Sequence, residues 1–172
     1  MKLFVHFDPE TGELIVSRPA YNSQTYAGKT EAEILDIAIP RCLGERQKLR
    51  SLSIPSGGFV EGTHYHIIEE EQRPVDGWFR WAWEWDDGFA IDMDKARTVQ
   101  MDKIRAVRNA ELAAKDLTFM RAVEAGDTSA QATIATEKQV LRDIPATFDI
   151  TTDVDTPEKL KAKWPAELPV RE

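Results

Sequence analysis

Residues 78–93 read WFRWAWEWDDGFAIDM, and residues 94–117 continue without a break as DKARTVQMDKIRAVRNAELAAKDL. A change of period inside this stretch decides the fold. Phe79, Trp81, Trp83 and Trp85 recur at every second position, which puts all four on one face of an extended strand. Trp78, Arg80, Ala82 and Glu84 then occupy the other face. A two-residue Asp87-Gly88 loop would set the charged Glu84 against Ile91. A three-residue Asp86-Asp87-Gly88 loop instead pairs Trp85 with Phe89, Trp83 with Ile91 and Trp81 with Met93. The second register keeps the large apolar groups together and assigns Gly88 the left-handed conformation. Beyond Met93 the period becomes three and four. Ala96, Val99, Val107, Ala110, Ala114 and Leu117 share one helix face, interrupted by Lys103 and Arg121, and their small side chains would let another helix approach closely.

Working outward, Ala125-Gly126-Asp127-Thr128 is a stop followed by a restart. Thr128 and Gln131 have capping-box spacing, and the second helix, to about Asp143, offers Ala130, Ile134, Leu141 and Ile144 to a core. The two helices form an αα-hairpin. Residues 145–155 read as irregular, Thr156-Pro157-Glu158 opens a last short helix, and Trp164-Pro165 stops it. Upstream, Leu3, Val5 and Phe7 alternate, as do Leu14 and Val16. A four-residue loop from Pro9 to Gly12 pairs Phe7 with Leu14 and Val5 with Val16. Residues 30–33, TEAE, match a capping box for a helix that Pro40 is expected to end, with 41–53 forming at most a short second helix. A further strand runs from His64 to Glu70. The fold class is therefore α+β. Residues 1–93 are a β-rich domain, an antiparallel sheet with one or two helices, and residues 94–172 are a C-terminal helical arm.

The composition narrows the function. Among 172 residues, a hydrophobic share of 42% and a charged share of 30% are those of a globular protein. A net charge of −8 disfavours a general nucleic-acid binder, because phosphate contacts need a basic face. One cysteine, Cys42, allows no internal disulfide. The apolar run before Asp8 is too short for a signal peptide, and no segment approaches a membrane span. The chain is expected to be intracellular when made.

Chemical signatures are weak. His64 and His66, two apart on a strand with Glu69 or Glu70 near, lack the further ligand a metal site needs, so no metal or other cofactor is expected. Glu84, Asp86, Asp87 and Asp92 crowd the hairpin tip, where turn chemistry and solvation explain acidic residues without catalysis. The tryptophan row fits core better than a stacking platform. Trp78, on the opposite face, is the better exposed contact. Arg97, Arg105, Arg108 and Lys115 form a basic stripe that Asp102 and Glu111 largely pair. No phosphate loop or nucleophile elbow is present.

The segments RAVRNAEL (105–112), Ala113 to Asp116, KQVLRDIP (138–145) and WP (164–165) resemble the C-terminal half of phage tail assembly and tail-fibre assembly chaperones. The likeness covers about residues 74–170 in short, non-catalytic motifs. Leu117 stands where the family usually carries Trp, and Thr136-Glu137-Lys138 stands where it carries an aromatic residue. The resemblance implies a non-enzymatic, tail-associated protein that binds a tail fibre or other tail protein during assembly. It would act in the host cytoplasm or remain in the virion tail. The contact is expected at Ala110, Ala114, Leu117, Trp164 and Pro165, with Trp78 as a further point. Because the arm has little core of its own, it must dock on the body, a partner or a second copy, making a homo-oligomer. The alternatives are a permanent structural component of the tail or baseplate, and a hydrolase or lysis-related enzyme.

Overall fold

Strand β1 (Lys2–Phe7) is central in a three-stranded antiparallel sheet ordered β2-β1-β3, with β2 at Leu14–Ser17 and β3 at Tyr65–Glu69. A computed structural model describes residues 1–170. Val5 pairs with Val16 and Phe7 with Leu14, the register the apolar alternation requires. Within the loop, the Gly12 N–H donates to the Asp8 carbonyl at 2.9 Å, and Gly12 takes a left-handed φ of 70°. Only a residue without Cβ adopts that conformation at no steric cost.

Both faces of β1 are covered. Phe4 packs against Leu35, Ile39 and Leu43 of helix α1 (Glu31–Leu49), together with Tyr65 and Ile67. Leu3 and Val5 pack with Ile68 against Leu14, Val16, Trp85 and Phe89. The run from Leu3 to His6 is therefore buried without alternation, while Phe7, expected to share the inner face with Val5, is 44% exposed. Continuous apolar sequence is what a strand covered on both sides displays.

Helix α1 opens as expected. The Thr30 hydroxyl accepts from the Glu33 N–H at 3.3 Å, and the Glu33 carboxylate accepts from the Thr30 N–H at 2.8 Å. It does not end at Pro40, and residues 41–49 are its continuation. Pro40 and Asp36 both lie on the exposed side, so water can satisfy the Asp36 carbonyl that the ring leaves without its helical donor.

The tryptophan stretch corrects the expected strand. Residues 80–82 form a 3-10 turn, and β4 is only Trp83–Trp85, facing β5 at Phe89–Ile91 across a three-residue loop. The turn rotates the row: Phe79 and Ala82 are buried, while Trp81 is 54% exposed. Trp85 and Phe89 meet edge to face, with ring centroids 5.4 Å apart, as the chosen loop demands. Gly88 has the positive φ expected of it, at 156°, and Asp87 before it also takes a left-handed φ, of 50°. Met93 leaves the hairpin altogether and begins helix α2.

The arm consists of α2 (Met93–Glu124), α3 (Thr128–Thr147) and the short α4 (Pro157–Ala162). Asp92 caps α2, accepting from the N–H groups of Asp94 and Lys95 at 2.9 and 3.0 Å. These bonds, led by the one from Lys95, hold its carboxyl below the ordinary range. Asp127, not Thr128, caps α3, accepting from the Ala130 N–H at 2.9 Å. The side chain of Gln131 donates instead to the Ala122 carbonyl. Helix α3 runs past Asp143 and through Pro145 to Thr147. The chain falls into two units, residues 1–90 and from Ile91 onward, each with its own buried clusters. No helix among the described residues is long and apolar enough to cross a membrane.

Candidate interaction surface

The base of the arm holds nearly all of its apolar core. Met101 and Ile104 of α2 meet Leu141 and Ile144 of α3, and Leu168 of the tail closes the cluster. Val107, Leu112, Phe148, Ile150 and Trp164 pack around it. Two polar groups of α2 hold the tail in place. Gln100, fully buried, donates through Nε2 to the Lys163 carbonyl at 2.7 Å, and Arg97 donates to the Val154 carbonyl at 3.3 Å.

Beyond Leu112 the two helices are held by charge. The Lys115 ammonium lies 2.6 Å from Glu137, Lys138 pairs with Asp116, and the Lys138 ammonium sits 5.3 Å from the Phe119 ring centroid. The docking face of α2 is thus Ile104, Leu112, Lys115, Phe119 and Ala122. Of the face expected to admit another helix, Ala96 is buried and Val107 packs at the base, whereas Ala110, Ala114 and Leu117 lie away from α3. Lysine and phenylalanine reach across the gap to α3, whereas alanine methyls cannot.

That alanine face is open. Ala106, Ala110, Ala113, Ala114, Leu117 and Met120 are all exposed, Leu117 and Met120 at 56% each. Ala106, Ala110, Ala113, Leu117 and Met120 are spaced four, three, four and three, which aligns them along one side of a helix. At 100° per residue this row lies about 180° from Lys115, opposite α3. Of the expected contact residues, Ala110, Ala114 and Leu117 therefore share a surface. The sequence reading missed Met120 and Ala106, though their spacing from Leu117 and Ala110 was there to be read.

Trp164 and Pro165 are elsewhere. Trp164 packs against the core at the base of the arm and donates through Nε1 to the Pro169 carbonyl at 3.0 Å, and Pro165 is fully buried. The arm itself covers this pair, so it belongs to the core and not to the open face. Trp78, half-buried, sits in a turn whose N–H donates to Asp76 at 2.8 Å, outside the arm.

The residues weighed for chemistry are dispersed. The Val60 N–H donates to Nδ1 of His64 at 2.9 Å, whereas the His66 ring stacks on Trp85 at 5.0 Å. Glu69 lies near the N-terminal ammonium and Lys2, and Glu70 pairs with Arg18. Among the described residues no group of three or more His, Cys, Asp or Glu is placed to hold a metal ion. In the basic stripe, Arg97 pairs with Asp94 at 2.7 Å and Arg105 with Asp102 at 2.9 Å.

The one buried histidine is His6, whose Nε2 lies 3.1 Å from the Ser17 hydroxyl. The Ser17 oxygen is in turn 3.8 Å from the Cys42 sulfur. Burial first, and then the Arg46 guanidinium, push its pKa down to about 4. At neutral pH it is an uncharged hydrogen-bonding group inside the sheet.

No protein-family model matches the chain, and comparisons with curated proteins and with solved structures find no match.

Proposed function

We propose that the chain is a non-enzymatic, phage tail-associated protein that assists the assembly of a tail fibre. It would act in the host cytoplasm by covering apolar surface on fibre chains before they trimerise. Slow-assembling chains expose such surface and aggregate through it. The observation that carries the reading is the open row on α2: apolar residues along a two-helix arm, solvent-facing where a helix normally buries them. The resemblance supports it, because RAVRNAEL falls within α2 and KQVLRDIP within α3.

The test is co-expression with a tail-fibre protein, should one be encoded by a neighbouring gene. The soluble yield of fibre is expected to rise, and Leu117→Glu is expected to remove the gain while the variant chain itself stays folded. Fibre equally soluble without this chain would remove the assembly reading. Mass spectrometry of purified virions separates the two tail-associated roles: absence supports a helper, and stoichiometric presence identifies a built-in tail or baseplate component.

A further inference from the structure

A helper whose client contact is an exposed apolar row needs something over that row when no client is bound. The row on α2 has features that specify what. Its ends carry charge, with Lys103 one step before Ala106 in the same spacing and Glu124 one step after Met120, and Arg121 flanks its distal end on the Lys103 side. Its large residues, Leu117 and Met120, lie at one end, and its small ones, Ala106, Ala110 and Ala113, at the other. The opposite side of α2 is filled by α3, so the row is left to an external helix.

We propose that two copies of the chain associate through this face, with their α2 helices antiparallel about a two-fold axis near Ala113 and Ala114. The antiparallel sense follows from charge and size together. A parallel pair would place Lys103 against Lys103 and Glu124 against Glu124, two like-charge contacts at the ends of the apolar row. The antiparallel pair sets Lys103 of each copy beside Glu124 of the other, at both ends. It also lays Leu117 of one copy beside Ala110 of the other, so large side chains fill the space that small ones leave and the helices approach closely. The arrangement is closed, because a two-fold axis uses the same patch on both copies. It deepens the assembly reading by naming the state in which the client face is stored, but it needs no fibre. Its failure therefore leaves that reading standing.

The experiment is sedimentation equilibrium on the isolated full chain over a concentration series, with orientation read by disulfide cross-linking in a Cys42→Ser background. The expected mass is that of a dimer, twice 19.5 kDa. Leu117→Glu is expected to weaken dimerisation by about 100-fold or more, since it buries an unpaired carboxylate in the contact. Leu117 is exposed in the chain alone, so the variant folds, and a melting temperature equal to that of the wild type at concentrations where the wild type is monomeric checks this. A chain that stays monomeric at every concentration overturns the proposal, and so does a dimer that persists undiminished in Leu117→Glu. Chains carrying Lys103→Cys are expected to cross-link to chains carrying Glu124→Cys. Two Glu124→Cys chains would stand about 30 Å apart in the antiparallel pair and should not link to each other. Efficient self-linking of Glu124→Cys would overturn the antiparallel arrangement.

Discussion

His6 sits in the middle of β1 with its ring shut off from solvent, and that placement makes stability depend on acid. Its pKa falls from 6.5 in the unfolded chain to about 4 in the fold. A group with a depressed basic pKa binds its proton more readily when unfolded, so protonation favours unfolding. The stability it permits is intact above 6.5 and is lost as pH falls toward 4. Between pH 7.5 and 5.0 the loss should be about 2 kcal/mol by linkage, read as a shift of the urea midpoint. His6→Gln should flatten the profile over that interval, and a wild-type midpoint unchanged across it would refute the buried neutral histidine. Asp87 is a second single-residue case. Its left-handed backbone costs a β-branched side chain about 1–2 kcal/mol. Asp87→Val should therefore lower stability by that order while Asp87→Gly leaves it level or raises it. Equal midpoints for the two variants would contradict the assigned φ.

At the scale of elements, what was legible in the sequence is what short-range chemistry determines. The β1–β2 register followed from two alternating runs and one turn, and the α1 capping box from Thr30 and Glu33 alone. The tryptophan row was half legible. Period two holds for Trp83 and Trp85, but the 3-10 turn at residues 80–82 breaks it, and nothing in the spacing announces that turn. Trp85→Ala should cost about 3 kcal/mol, because this ring covers the face of the sheet built from Leu3 and Val5. Trp81→Ala should lie within about 0.5 kcal/mol of wild type, as exposed substitutions do. Chemical unfolding of both variants checks the pair, and equal losses would restore the continuous row. Pro40 was misleading because a proline forbids a helix only where the carbonyl it strands has no other donor, and Pro40 lies on a solvent-facing turn. The sequence did not say which face α3 would take: small residues permit close helix approach, but α3 lies on the side of the ion-paired Lys115 and Asp116.

Across the whole molecule the telling contrast lies within the arm. Its apolar core is confined to the base, where α2, α3 and the returning tail meet. The tail's contribution was not legible, because Gln100 finds the Lys163 carbonyl across 63 residues of sequence. Toward the turn at Gly126 the helices share ion pairs and one buried alanine, Ala122. Exposed pairs of that kind contribute at most about 1 kcal/mol each. The distal half of the arm should therefore open locally well before the base does. Amide hydrogen exchange measures this: amides of residues 113–135 should exchange at least tenfold faster than those of 100–108, since few buried apolar contacts mean low local opening energy. Trp164→Ala should erase the difference by loosening the base, whereas Leu117→Glu should leave the base untouched. Uniform protection along α2 in the dilute chain would show that the distal helices are stabilised by something other than the contacts described. A distal half that becomes protected only as protein concentration rises would place a second copy on the open face.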